Sequence, residues 1–128
     1  VRATAIRQAG MLDAAYFYYW EETEWCLRLR ECGWRIRYAP EAVLRHKGVQ
    51  VDYRPGPSVG YYNTRNRLQT LHKHKAPLRV RAVAYAEILR TLASYTLRPK
   101  WRDRREHRDA IWQGLRDYQR GRLGPMNG

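Results

Sequence analysis

Three glutamates lie close together near the front of the chain, at Glu21, Glu22 and Glu24, and Arg28 follows four positions after the last. A positioned carboxylate is a common general base. The spacing predicts a helix that begins at these acids, because the positive end of the helix dipole stabilises negative charge there. Glu24 and Arg28 would pair across one turn, while Glu22 would project from another face. Composition alone favours a helix-capping cluster without a catalytic role.

An unbroken aromatic run at 16–20 leads into this helix. Aromatic residues favour strands, and a continuous apolar run predicts a strand buried on both faces. Such a strand would place the acids at its carboxyl end, where α/β sheets commonly bind their ligands. Gly33 predicts the end of the helix, because glycine adopts the left-handed conformation of a helix C-terminus without strain. Further strands are predicted at 34–38 and 42–46.

The possible site residues occur in a defined order along the chain. The series runs through Gly10, Asp13, Glu21, Glu22, Glu24, Arg28, Gly33, Trp34, Pro40, His46, Tyr61, Tyr62, Arg65 and Asn66. It resembles the C-terminal, acceptor-side part of a family 2 inverting glycosyltransferase of the GT-A fold, of the rhamnosyltransferase-like branch. The resemblance is good over residues 1–75 and loose over the rest. The family usually has aspartate where this chain has Glu22 and Glu24.

The resemblance implies an α/β fold: the acceptor-side half of a GT-A (Rossmann-like) catalytic domain over 1–75, followed by a basic two-helix extension over 76–128. It also implies transfer of rhamnose or another hexose from a nucleotide sugar to a glycan or lipid-linked acceptor, by an inverting, metal-assisted mechanism. Glu22 would be the general base that takes the proton of the attacking hydroxyl. Supporting groups would be Glu21, Glu24 and Arg28, although a structural pair with Glu24 explains Arg28 more simply.

The resemblance further implies that His46 binds a divalent metal, Mg or Mn, on the diphosphate of the donor. The chain contains no Asp-x-Asp sequence. The remaining ligands would therefore lie outside these residues. The alternative is that His46 forms a structural hydrogen bond, as a lone histidine after an apolar segment more often does.

Acceptor binding is implied for four residues that match family positions or could stack on a sugar: Trp20, Tyr61, Arg65 and Asn66. Plain core packing is the simpler interpretation of Trp20, because it belongs to an apolar run. For the helix that begins at Tyr61, the alternative is a set of core aromatics beside a solvated arginine. Both interpretations stay open at this point.

The net charge of +13 is concentrated in the second half of the chain. Residues 1–64 hold 9 Lys/Arg against 7 Asp/Glu, whereas residues 65–128 hold 16 against 5. Amphipathic helices with basic faces are predicted over 78–97 and 101–120. These faces are compatible with plain solvation, an anionic membrane surface or nucleic acid. Nucleic acid is the weakest of the three, because no nucleic-acid-binding motif accompanies the charge.

The remaining features concern the whole protein. Cys26 and Cys32 have a spacing that fits no zinc or redox motif, and no apolar run is long enough to cross a membrane. The start at Val1 predicts a fragment without the N-terminal half of its domain, which would be inactive alone and would self-associate. The expected location is cytoplasmic, peripherally associated with the inner face of the membrane. The alternative function is a basic, non-catalytic nucleic-acid-binding module.

Overall fold

The structure, a computed structural model, describes residues 1–45 and 54–126. The α-helices are α1 (Ala3–Ala9), α2 (Glu21–Glu31), α3 (Pro57–Lys73), α4 (Leu78–Leu97) and α5 (Arg105–Gln119). Short 3-10 segments at Ala14–Tyr16 and Pro99–Arg104 precede α2 and α5. Within the described ranges there is no strand, and no helix is long and apolar enough to cross a membrane.

The predicted α/β fold, and with it the half-sheet of a GT-A domain, is wrong for the described residues, which are helical or irregular. The segments at 34–38 and 42–45 are irregular, and apart from the half-buried Trp34 their large apolar side chains face solvent: Tyr38 is 91% exposed and Leu44 is 86% exposed. A strand needs a neighbouring strand to satisfy its backbone hydrogen bonds. None is present in residues 1–45 or 54–126. The end of the third predicted strand, at His46, lies outside the described residues.

The aromatic run at 16–20 is not a strand either. Its backbone has positive φ at Phe17 (63°), Tyr19 (64°) and Trp20 (74°). A strand requires strongly negative φ, so the chain instead turns sharply through residues 17–20. We call residues 16–20 the aromatic loop. The strand propensity of these residue types was overridden by side-chain contacts from α3, which are described below.

The end of α2 was predicted correctly. Gly33 has φ 83°, and its N–H donates to the carbonyl of Arg30 at 2.9 Å. The next N–H, of Trp34, donates to the carbonyl of Leu29 at 3.0 Å. This pair of bonds is a Schellman motif, which satisfies carbonyls that the end of the helix would otherwise leave unpaired.

The three long helices α3, α4 and α5 enclose the larger hydrophobic core. Its buried members are Leu68, Ala84, Ile88, Leu92, Ile111 and Leu115. Gly114 allows α3 and α5 to approach closely, because a Cβ at this position would lie 2.5 Å from the carbonyl oxygen of Tyr61. Since α3 packs on α5, it contacts the segment beyond residue 75. The division into 1–75 and 76–128 stays a prediction.

Candidate functional site

The aromatic loop carries the most strained backbone among the described residues. Phe17, Tyr19 and Trp20 all have positive φ, although none is glycine. Each such residue costs on the order of 1–3 kcal/mol, so the surrounding structure must hold the loop in place. Backbone strain of this kind clusters at functional sites, and the loop leads directly into the acidic start of α2.

Two adjacent side chains of α3 hold this loop. Nδ2 of Asn66 lies 2.9 Å from the carbonyl oxygen of Tyr16 and 2.8 Å from those of Tyr18 and Tyr19. Arg65 donates from Nη2 to the carbonyl of Tyr16 at 3.1 Å. Both side chains are 0% exposed. Three carbonyls converge on one amide group, and these hydrogen bonds offset the strain of the loop.

Arg65 also joins the loop to the end of the chain. Its Nη1 donates to the carbonyl of Gly124 at 2.7 Å and to the hydroxyl of Tyr61 at 3.1 Å. Tyr61 in turn donates to Oδ2 of Asp117 at 2.9 Å. Burial raises the pKa of Tyr61, and the hydrogen bond to Asp117 raises it further. The guanidinium lies 5.1 Å from the Tyr61 ring centroid and 5.2 Å from that of Tyr62. The solvated-arginine interpretation of Arg65 is therefore wrong, whereas the core-aromatic interpretation of the two tyrosines is confirmed.

Glu24 is the buried acid of the cluster, with 0% exposure. Nε of Arg28 lies 2.8 Å from its Oε1 and 2.9 Å from its Oε2, and Nζ of Lys73 lies 2.8 Å from Oε1. Lys73 also contacts Oδ2 of Asp13 at 3.0 Å. Burial by itself raises the pKa of Glu24, but the hydrogen bonds from Lys73 and Arg28 outweigh it and lower that pKa. The predicted Glu24–Arg28 pair is confirmed within α2, and the ion pair of Glu24 with Lys73 anchors α2 to α3.

Arg28 connects the same cluster to α1. Its Nη1 donates to the carbonyl of Ala9, and its Nη2 donates to the carbonyl of Met11 at 2.7 Å. The indole of Trp25 donates to the carbonyl of Gly10 at 2.8 Å. The C-terminal end of α1 is therefore fixed against α2, which supports the structural role that the sequence favoured for Arg28.

Glu22 and Glu21 occupy the first turn of α2, directly after the aromatic loop. Glu22 is exposed, so its carboxylate is open to a ligand from solvent. Glu21 is partly buried, and its Oε2 has no hydrogen-bond partner in the part of the chain that the structure describes. The roles of Glu22 as base and of Glu21 as a supporting group stay predictions.

The four predicted acceptor-binding residues do lie together around the aromatic loop. Trp20 is half-buried and donates from Nε1 to Oδ1 of Asn63 at 3.0 Å. Tyr61, Arg65 and Asn66 are at most 1% exposed, and their polar atoms contact protein groups. What the geometry supports directly is that these three position the loop. Their contact with an acceptor stays a prediction.

Sequence reasoning missed much of the face of α3 that holds the loop. Asn63, Asn66, Thr70 and Lys73 recur every three or four positions, the spacing of one helix face. We call them the polar stripe. Asn63 accepts a hydrogen bond from the indole of Trp20, and Thr70 donates to the hydroxyl of Tyr16 at 3.0 Å. Lys73 forms ion pairs with Asp13 and Glu24. Polar residues at helical spacing among aromatic ones were the available signal.

The structure does not by itself supply a metal site. His46 lies outside the described residues. Residues 1–45 and 54–126 contain no group of three or more His, Cys, Asp or Glu side chains placed to hold a metal ion. The donor set present therefore does not fit a bound divalent cation without further ligands. The metal role of His46 and the metal cofactor stay predictions.

Comparison with known proteins gives one direct lead. The chain is 28% identical over 123 residues to the dTDP-rhamnosyl transferase RfbF of Shigella flexneri. The chain resembles a rhamnosyl transferase. The match covers 88% of this chain and 41% of the relative, so the chain spans about two-fifths of that relative's length. No protein-family model and no solved structure matches the chain. The likeness supports a relation to glycosyltransferases.

Proposed function

We propose that the chain is part of a glycosyltransferase that moves rhamnose, or another hexose, from a nucleotide sugar to a glycan or lipid-linked acceptor. The observation that carries this proposal is the similarity to the dTDP-rhamnosyl transferase across 88% of the chain. These residues would act on the acceptor. The groups that bind the nucleotide and its diphosphate would be supplied by a segment outside them.

The mechanism is a single displacement with inversion at the anomeric carbon. Glu22 takes the proton of the acceptor hydroxyl while that oxygen forms the new bond to the sugar, and the nucleoside diphosphate leaves. Support comes from the exposure of Glu22 and its place in the first turn of α2, next to the aromatic loop. The polar stripe fixes the loop, so Trp20 is held beside the acids as a wall for the acceptor sugar.

The base assignment is tested by Glu22→Gln in the complete gene product, with transfer from a labelled nucleotide sugar as the readout. We expect turnover to fall by at least about 100-fold, the scale of losing a general base, while substrate binding changes little. The matched control is Glu106→Gln, an exposed acid in the first turn of α5. It removes the same charge from an equivalent helix position and should leave turnover near normal.

Two results would rule the assignment out. One is near-normal turnover of the Glu22→Gln protein, and the other is an equal loss in the Glu106→Gln control. Glu22→Asp sharpens the test, because aspartate is the usual residue of the family that the sequence resembles. That variant should retain more turnover than Glu22→Gln if the carboxylate acts as a base.

The metal proposal has its own test. His46→Ala should raise the manganese concentration needed for half-maximal transfer, because a ligand has been removed. His72→Ala is the matched control, since His72 lies on α3 and its Nδ1 is 3.3 Å from the hydroxyl of Tyr118. Identical manganese titrations for the wild type and the His46 variant would exclude the ligand role.

The basic second half belongs to the same proposal as a peripheral contact with an anionic membrane surface. On α4, Val83, Leu89 and Leu97 are more than half exposed, and Arg79 and Arg90 are exposed beside them. A helix face of this composition suits the boundary between headgroups and acyl chains. Binding to anionic vesicles that weakens steeply with salt would support this contact, and equal binding to neutral vesicles would contradict it.

A further inference from the structure

A basic cavity lies at the corner where α4 ends and α5 begins, on different elements from the aromatic loop. Its volume is about 320 Å³, which is at the lower end of the range of about 300–1,000 Å³ for small-molecule sites. Four arginines line it: Arg98, Arg102, Arg105 and Arg108. The chain turns here through the 3-10 segment Pro99–Arg104, which brings these side chains to one cavity.

The charge of this corner is not balanced locally. Residues 98–109 hold six Lys/Arg against three Asp/Glu. Two of the acids are already paired: Asp109 lies 2.8 Å from Arg108, and Asp103 lies 3.7 Å from Arg104. Among the described residues, the side chains of Arg98, Arg102 and Arg105 have no ion-pair or hydrogen-bond partner, and no carboxylate lines the cavity. Like charges gathered without counter-charge repel each other, so a bound anion would lower the free energy of this corner.

The chemistry of the lining identifies the anion. A guanidinium group is planar and donates two parallel hydrogen bonds to a phosphate, and it is less strongly hydrated than an ammonium group. Several guanidinium groups around one cavity need an anion with more acceptor oxygens and more charge than a carboxylate offers. The geometry points to a binding site for a phosphate or diphosphate group in this cavity, which we call the arginine pocket.

An adjoining groove indicates what else the ligand carries. This second cavity, of about 520 Å³, shares Tyr95, Leu97 and Arg98 with the arginine pocket and extends to Trp101. Leu97 is 77% exposed. A phosphate group in the arginine pocket would therefore have an apolar surface beside it, which fits a phosphorylated lipid better than free phosphate. The arginine pocket would bind this ligand whether or not the protein transfers a sugar.

The test compares two double variants of the 128-residue chain that each remove two positive charges. Arg102→Gln with Arg105→Gln removes the two central, exposed arginines of the pocket. Arg7→Gln with Arg120→Gln is the matched control, because both are exposed and lie outside the pocket and off the exposed face of α4. The probes are inorganic pyrophosphate, measured by titration calorimetry, and phosphatidylcholine vesicles with added phosphatidic acid, measured by flotation.

We expect the pocket variant to bind both probes at least about tenfold more weakly, because two charge-assisted contacts are lost, and the control to change less than about twofold. The arginine pocket predicts tighter binding of phosphatidic acid vesicles than of phosphatidylserine vesicles at equal surface charge, because the phosphomonoester of phosphatidic acid offers the guanidinium groups more free oxygens than a phosphodiester does. Pyrophosphate binding alone would support a site for free phosphate. Equal losses in the two variants would indicate diffuse charge and overturn the site, and so would an absence of binding to both probes.

A measurement on the wild-type chain covers the case in which the pocket variant does not fold. Pyrophosphate should slow amide hydrogen exchange over residues 95–108 and leave α1 and α2 unchanged. Slowed exchange spread evenly over every basic segment would overturn the site, because it would show binding without a preferred location.

Discussion

The aromatic loop and the α4–α5 pair are stabilised by opposite kinds of interaction. Between α4 and α5 the contacts are apolar: Ala84, Ile88 and Leu92 meet Ile111 and Leu115 in one buried cluster. The aromatic loop, although rich in aromatic residues, is held by the polar atoms of Asn66 and Arg65, which bind its backbone carbonyls. Apolar packing tolerates small changes of shape, whereas a hydrogen-bonded strained turn depends on individual atoms.

This difference locates the part of the molecule that is suited to chemistry. The apolar contacts that stabilise α4 and α5 are distributed over many side chains, so they do not position any one exposed side chain. A strained loop that is fixed by buried donors places Trp20, Glu21 and Glu22 in one defined arrangement at the surface. Preorganisation of this kind is what positions substrate-binding groups in enzymes.

The substitution with the largest expected effect is Asn66→Leu, which keeps about the same side-chain volume but removes the amide. The carbonyls of Tyr18 and Tyr19 lose this donor, whereas that of Tyr16 keeps its bond from Arg65. Nε of Arg65 also loses the acceptor Oδ1 that it contacts at 2.9 Å. We expect a loss of about 3–5 kcal/mol of unfolding free energy, measured by urea denaturation, since each buried polar group left unpaired costs about 1–3 kcal/mol. Amide exchange should accelerate first over residues 14–20.

The control for this variant is Asn63→Leu, on the same polar stripe, which loses one hydrogen bond to a half-buried indole. We expect it to cost no more than about 1.5 kcal/mol. If the two variants lost equal stability, the loop would not depend on the convergence of carbonyls on Asn66, and the contrast with α4–α5 would fail.

The next effect concerns pH and Glu24. Its pKa is lowered in the folded protein, so its contribution to stability is present above the ordinary value of 4.5 and is lost as pH falls through the folded pKa. Glu24→Gln should cost about 1.5–3 kcal/mol near neutral pH, where it removes hydrogen bonds to charged partners, and progressively less in acid. Denaturation measured at pH 7 and again below pH 4 would show the two proteins converging.

At alkaline pH, stability depends on Lys73. Burial alone would lower the pKa of Lys73, but its hydrogen bonds to Glu24 and Asp13 raise that pKa above 10.5. Its contribution to stability is present below 10.5 and is lost as pH rises through the folded pKa.

Glu22→Gln is the control for the measurement of Glu24→Gln in acid, because Glu22 is exposed. An acid dependence in Glu24→Gln as steep as that of the wild type would contradict the assignment to Glu24.

The smallest effect is expected where α5 packs closely on α3. Gly114→Ala places a Cβ 2.5 Å from the carbonyl oxygen of Tyr61, and the two helices must move apart. Overpacking costs about 1–3 kcal/mol, and the cost should lie at about 2–3 here because the atom met is backbone, which cannot rotate away. The better helix propensity of alanine returns about 1, so we expect a net loss of about 1–2 kcal/mol in thermal or urea denaturation. Gly56→Ala, which meets open space, is the control and should be nearly neutral. A neutral Gly114→Ala would show that α3 and α5 are not closely packed there.

Several local features followed from the sequence alone. The helix at 78–97 has the predicted bounds, Gly33 ends α2, and Glu24 pairs with Arg28. Of the second predicted tail helix, 101–120, α5 occupies residues 105–119, after a 3-10 segment. All of these depend on interactions within a few positions along the chain, such as helical periodicity, C-cap geometry and side chains one turn apart.

The tertiary structure decided the conformation of residues 16–20 and the roles of the residues around them. The hydrogen bonds that hold the loop come from Asn66, 47 to 50 positions further along the chain, so no local pattern reveals them. The same holds for the burial of Glu24 by Lys73 and for the exposure of Glu22 two positions earlier. Strand propensity describes only how a residue type fits a pleated surface; where no neighbouring strand is available, distant polar partners determine the backbone.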